Sequence, residues 1–167
     1  MSTLLVVRDP KAYVTPDVWE REVAFLLRDP QNTRELAERK FGQAIAFVMT
    51  CGENPDLLMG PTNTVDEAWH SFMLDSIHYT HFTNRHFGRY IHHVPELPGS
   101  TADTACVQAG DHADGHDPKT GMPLVLAQTI KTIKAAGFEI DAELWGMADA
   151  ADCNQCHAGC HDSPKKQ

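Results

Sequence analysis

No histidine occurs before position 70, and basic residues are in the minority along the whole chain. With 14 Lys and Arg against 23 Asp and Glu, the formal charge is −9 at pH 7. Recognition of nucleic acid needs a concentrated basic patch, and attraction to anionic lipid needs a basic cluster, so neither partner is expected. No apolar run approaches the length of a bilayer span, and the stretch from Met1 to Pro10 is too short and interrupted for a secretory signal. These absences predict a cytoplasmic chain. There the five cysteines act as thiols or metal ligands rather than disulfides. Glycine-rich nucleotide loops, nucleophile elbows and hydrolase triads are missing too, as are internal repeats and low-complexity tracts.

What is present is concentrated in one part of the chain. All ten histidines and four of the five cysteines lie at or beyond position 70. The 42% hydrophobic and 22% charged fractions are ordinary for a globular protein, and 167 residues suit one domain with a real core. The expected organisation is a helical scaffold over 1–62, a chemistry-bearing segment over 63–95, a loop over 96–120, and a last helix with a Cys/His tail over 121–167.

Helix signals support an all-α reading. Thr15-Pro16 opens a helix with a threonine cap and proline in the first turn, and Val18, Trp19, Val23, Leu26 and Leu27 follow at helical spacing. A second helix starts near Asn32 or Thr33. Its stripe is Leu36, Ala37, Phe41, Ile45, Val48 and Cys51, and Gly52 is its expected stop. Thr64 to Glu67 matches a capping box, which predicts one continuous helix to about His86, ended by Gly88. Arg89 to Pro95 reads as extended, because proline biases its predecessor away from helix. A last helix is expected from Pro123 to Ala136, with a short turn over Glu143 to Met147. The predicted architecture is a small helical bundle with a long loop and a metal-ordered tail rich in Cys and His.

Asp66 and His70 are four apart and share a helix face. At ~100° per residue that face also holds Met73, Leu74 and Ile77, so the pair is expected to point toward the core. A buried carboxylate and imidazole need pairing or a bound ion. The plain alternative is an Asp–His hydrogen bond that tightens the bundle. Tyr79, nearly opposite this face, is expected to pack or hydrogen-bond. In the extended segment His92 and His93 point to opposite sides, so one of them can turn inward and complete a set of two His and one carboxylate. Such a set suits non-haem iron, and zinc also uses it.

Val65-Asp66-Glu67-Ala68-Trp69-His70, followed by Gly88-Arg89-Tyr90-Ile91-His92-His93-Val94-Pro95, resembles short bacterial proteins related to the plant glycine-rich domain-containing proteins. The resemblance covers about residues 60–95, extends to the Cys/His-rich tail, and includes Tyr79. Plant members often carry a second His two places after Trp-His, where this chain has Phe72. The resemblance implies the fold and the Asp/His site, and supplies no reaction.

In the tail, Cys153, Cys156, His157, Cys160 and His161 fall within ten residues. Three readings compete. Cys-x-x-Cys with a further Cys or His makes a tetrahedral metal site that can order the tail. Cys153-x-x-Cys156-His157 also matches the attachment signature of c-type haem, though no export signal precedes it. The third is a dithiol redox motif, though without the βαβ pattern that usually carries one, or simply a disordered thiol-rich tail. The pairs His112/His116 and Cys51/Cys106 are assigned no role.

The expected ligands are therefore Asp66, His70, His92, His93, Cys153, Cys156, His157, Cys160 and His161, for a transition metal ion: iron, zinc or copper. The expected function is a metal-dependent enzyme acting on a small molecule, with non-haem oxidoreductase chemistry favoured over hydrolysis. Arg89 is the residue assigned to a substrate carboxylate. The alternative is a non-catalytic, zinc-stapled binding or metal-handling module. Nothing in the sequence sets an oligomeric state.

Overall fold

A computed structural model describes residues 7–94, 121–146 and 159–161. The expected loop over 96–120 falls almost wholly outside them, and so do Cys153, Cys156 and His157. A short 3-10 helix, Pro10–Tyr13, precedes α1 (Pro16–Leu26), α2 (Arg34–Glu53), α3 (Asn63–Leu74), α4 (Ser76–Phe87), β1 (His92–Val94), α5 (Leu124–Ala135) and β2 (Gly159–His161). The helical reading therefore holds for most described residues, with one small antiparallel pair, β1 with β2, added to it. Among the described residues no helix is long and apolar enough to cross a membrane.

The caps explain where the first helices begin. Thr15 accepts from the backbone N–H of Val18, and Thr33 accepts from that of Leu36, each satisfying a donor that the first turn leaves unpaired. α2 is the central element. From Lys40 to Cys51 every residue except Gln43 is buried, the pattern of a helix packed on all sides. α1, α3, α4 and α5 pack around it. Phe41 meets Phe72 edge-on at 5.3 Å between ring centroids, and Phe47 meets Trp69 at 5.2 Å. Each such ring contributes roughly 1.5–3 kcal/mol through burial. Lys40, also buried, is paired with Glu67 at 2.8 Å.

Gly52 does not end α2, which runs on to Glu53 before Asn54-Pro55 breaks it. The glycine instead makes room for a neighbour: a Cβ on it would fall 2.4 Å from the Phe87 ring. The third expected helix also differs from its sequence reading. Its cap is Thr62 rather than Thr64, because the Thr62 hydroxyl is held at 2.6 Å by the Leu144 carbonyl and receives the Val65 N–H. The helix is then interrupted at Asp75 (φ −80°, ψ 62°), which ends α3 and begins α4. The Asp75 carboxylate accepts from Arg21 and lies 2.9 Å from His78 Nδ1, and these partners hold the bend. The break turns Tyr79 and Phe82 into the core and leaves Leu74 and Ile77 86% and 70% exposed. The expectation that Leu74 and Ile77 face the core is thus corrected. Gly88, at φ +67°, ends α4 in the left-handed conformation that glycine adopts without penalty.

Candidate metal centre

α3 places Asp66 one turn from its cap, with its backbone N–H bonded to the Thr62 carbonyl at 2.8 Å. The Asp66 side chain is 8% exposed and flanked by two imidazoles. His70 Nδ1 lies 3.1 Å from Asp66 Oδ2 and 2.9 Å from the Asp66 backbone oxygen. His93 Nε2 lies 3.0 Å from Asp66 Oδ1. The two imidazole rings are 4.3 Å apart between centroids. One ligand atom from each of the three residues falls within 4.8 Å of the others, so Asp66, His70 and His93 form a group that could hold a metal ion.

The spacing can be tested against coordination geometry. Nitrogen and oxygen ligands about 2.0–2.2 Å from a common ion stand roughly 3.0–3.5 Å from one another. Each carboxylate-to-imidazole distance, His70 to Oδ2 and His93 to Oδ1, falls at that edge length, and one ligand atom from each residue lies within 4.8 Å of the others. In the absence of an ion, protons on the two imidazoles fill the same gaps as hydrogen bonds to the carboxylate. The buried carboxylate therefore always has a partner, and an ion replaces protons rather than opening a new cavity.

The site is open on one side. His93 has a side chain 10% exposed and rests against Trp69 at 4.7 Å, whereas the His70 side chain is 50% exposed. The expected core-facing His70 is thus corrected: the bend at Asp75 leaves the far end of that helix face in solvent, and His70 lies at the boundary. The alternation expected of His92 and His93 is found, with His93 inward and His92 exposed.

A buried relay holds β1 in place beside α3. Trp69 Nε1 donates to Tyr79 Oη at 3.0 Å, and Tyr79 Oη donates to the Ile91 carbonyl at 2.7 Å. Tyr79 and Ile91 are both buried. The Trp69 indole also stacks against His93, so one residue touches both the relay and the site. Tyr79 was legible as a packing or hydrogen-bonding residue, but its partner Ile91 was not, because nothing in spacing links a helix tyrosine to a carbonyl on the next segment.

The other expected site residues are distributed as follows. Arg89 donates from Nη2 to the Gly52 carbonyl at 3.0 Å, which ties it to the end of α2. Cys160 and His161 lie in β2, in register opposite His93 and His92 respectively. Cys153, Cys156 and His157 lie outside the described residues, as do His112, His116 and Cys106. Glu22 was not singled out from the sequence, yet it is fully buried on α1. Its position was readable in principle, because it falls four residues from both Val18 and Leu26 in the apolar stripe. One of its oxygens accepts from Ser71 at 3.2 Å, and burial pushes its carboxyl from 4.5 up to about 7.

A family model described as UCP032817-like matches residues 26–106, a stretch that contains α2, α3, α4 and β1 and all three residues of the group. The chain is similar to that family over this stretch. No curated protein and no solved structure matches it.

Proposed function

We propose that this chain is a metal-dependent enzyme whose centre is Asp66, His70 and His93, acting on a small molecule by non-haem oxidation–reduction chemistry. The observation that carries the reading is the buried Asp66 carboxylate bridging two imidazoles at 3.0 and 3.1 Å with one imidazole half-exposed. Two neutral nitrogen donors and one carboxylate on one side leave the remaining positions open toward solvent, the arrangement of a catalytic rather than a closed structural centre.

Each residue has a definite task. Asp66 contributes the negative charge and, being desolvated, attracts a cation more strongly than a surface carboxylate does. His93 is fixed by Trp69 and by the Tyr79–Ile91 relay. His70 sits at the open edge, where a substrate arrives. Iron held by Asp66, His70 and His93 would supply one-electron chemistry. The two-His, one-carboxylate donor set is compatible with non-haem iron and equally with hydrolytic zinc, and the metal that binds decides between oxidation and hydrolysis.

The zinc-stapled module is the competing reading, and Cys153 and Cys156, which would hold its ion, lie outside the described residues. The test is to load the full chain anaerobically with iron(II) and add nitric oxide. A high-spin iron–nitrosyl signal in electron paramagnetic resonance, lost in His93→Ala, supports an open iron centre. Iron that binds without forming the nitrosyl reports a closed sphere and overturns the catalytic reading.

A further inference from the structure

Glu22 lies in the apolar stripe of α1 and is fully buried, with no water to solvate a charge. Ser71 on α3 donates to its Oε2 at 3.2 Å, while Oε1 is buried without a hydrogen-bond partner. A second carboxyl group, that of Asp75 at the bend between α3 and α4, lies within hydrogen-bonding reach of Glu22 and is 8% exposed. Asp75 Oδ2 already accepts from Arg21 and stands 2.9 Å from His78 Nδ1. Two carboxylates cannot hydrogen-bond to each other, because neither has a proton to donate. One proton on Glu22 removes both difficulties. It neutralises the buried group and makes it a donor toward Asp75, which Arg21 keeps ionised. Arg21, Asp75 and His78 are the charged groups around the pair. On α2, Arg34 is held by Glu20 and Glu38, Arg39 by Asp141 and Glu143, Lys40 by Glu67 and Glu53 by Arg8, and Glu35 is exposed. On α3, Asp66 is flanked by its two imidazoles.

We propose that Glu22 and Asp75 form a proton-operated latch that fastens α1 to the bend between α3 and α4, shut by one shared proton and released when that proton is lost. Shut, the protonated Glu22 donates to Asp75 and accepts from Ser71, so the buried group has partners on both sides. Released, the proton passes to solvent, and two like charges face each other in a dry site. The ionised Glu22 then gains by moving toward water, which draws α1 away from the bend. Burial, with Asp75 adding to it and Ser71 opposing it, raises the Glu22 carboxyl from 4.5 to about 7. The shut state therefore keeps its full advantage below about 4.5 and loses it as pH rises through about 7. The latch does not rest on the metal-centre reading, although the bend it holds ends the helix that carries Asp66 and His70.

The test is native-state amide hydrogen exchange on the full metal-free chain, wild type against Glu22→Gln, between about pH 5 and pH 8. Glutamine keeps the shape of the protonated acid and its N–H donors, so it holds the latch shut at every pH. The ratio of the two proteins at each amide cancels the intrinsic pH dependence of exchange, together with what Asp75 and His78 contribute to both. The expected result has two parts. Wild-type amides of α1 open more readily than those of α2 between Ala44 and Met49, which report global unfolding. Their exchange also rises relative to Glu22→Gln by up to about tenfold per pH unit and levels off above about pH 7. Ser71→Ala removes the donor that opposes the upward shift, and moves the levelling-off to higher pH. If α1 and α2 open only together, there is no separate release and the latch is overturned. A ratio that stays constant with pH, or a levelling-off that ignores Ser71→Ala, overturns it equally, leaving Glu22 as a packing residue.

Discussion

His93 Nε2 stands 3.0 Å from Asp66 Oδ1 across a separation of 27 residues, joining a strand to the first turn of a helix. Hydrogen bonding on each side preserves that approach. The Asp66 end is fixed by the Thr62 cap and its link to the Leu144 carbonyl. The His93 end is fixed by the relay from Trp69 through Tyr79 to Ile91.

Tyr79→Phe tests the relay. The substitution keeps the ring and deletes the hydroxyl, leaving the Trp69 Nε1–H and the Ile91 carbonyl without this partner. Stability is expected to fall by roughly 1–3 kcal/mol, the cost of stranding buried polar groups. Metal affinity at Asp66 is expected to fall about 10–100-fold, as when a group that orients a ligand is lost. Urea unfolding together with zinc competition measures both. Unchanged affinity with lowered stability restricts Tyr79 to a structural role.

Gly52→Ala probes the packing of α2 against α4. The new methyl would meet the Phe87 ring at 2.4 Å, and the ring must move to accept it. Overpacking of this kind costs typically ~1–3 kcal/mol, which outweighs the ~1 kcal/mol that alanine gains over glycine as a helix former. Thermal unfolding decides the sign. A stabilised Gly52→Ala variant contradicts the close contact.

Much of the scaffold can be read from local chemistry. Thr15-Pro16 and Thr33 mark true helix starts because caps act within three residues. Gly88 marks a true helix end for the same reason. The i,i+4 spacing joins Asp66 to His70, and strand alternation leaves one of His92 and His93 to turn inward. The break at Asp75 is not legible, because it depends on Arg21, 54 residues away in sequence. That break leaves Leu74 and Ile77 exposed and His70 half-exposed at the boundary, where an unbroken helix predicts a core face. The Thr62 cap is not legible either, since its partner Leu144 lies 82 residues on.

Glu22→Gln isolates a pH effect. Burial, first among the causes, raises the Glu22 carboxyl from 4.5 to about 7, opposed by the Ser71 hydrogen bond and reinforced by Asp75. The folded state therefore holds this proton more tightly than the unfolded state does. The resulting stability is complete below about 4.5 and is lost as pH rises through about 7. Asp75 acts in the opposite sense: burial raises it, but hydrogen bonds from His78 and Arg21 hold it below its ordinary value, so its contribution is lost in acid. In metal-free protein, the melting temperature of the wild type is expected to drop relative to Glu22→Gln between about pH 5 and pH 8. Parallel curves for the two proteins contradict a raised Glu22.

Ile77→Lys serves as the control for the bend. At 70% exposure its side chain contributes little burial, so the change in stability is expected to stay within about 0.5 kcal/mol. A continuous helix with Ile77 packed in the core predicts a loss of several kcal/mol instead. Denaturant unfolding separates the two.

The central claim is that Asp66, His70 and His93 hold a metal ion, and the direct measurement is isothermal titration of the metal-free chain with zinc(II) and with iron(II) under anaerobic conditions, comparing wild type, Asp66→Asn and His93→Ala. The account predicts that each variant stays folded by circular dichroism and loses the same single equivalent. A folded wild type that binds neither ion, or variants that bind as tightly as wild type, would contradict it and leave the three residues as a hydrogen-bonded part of the core.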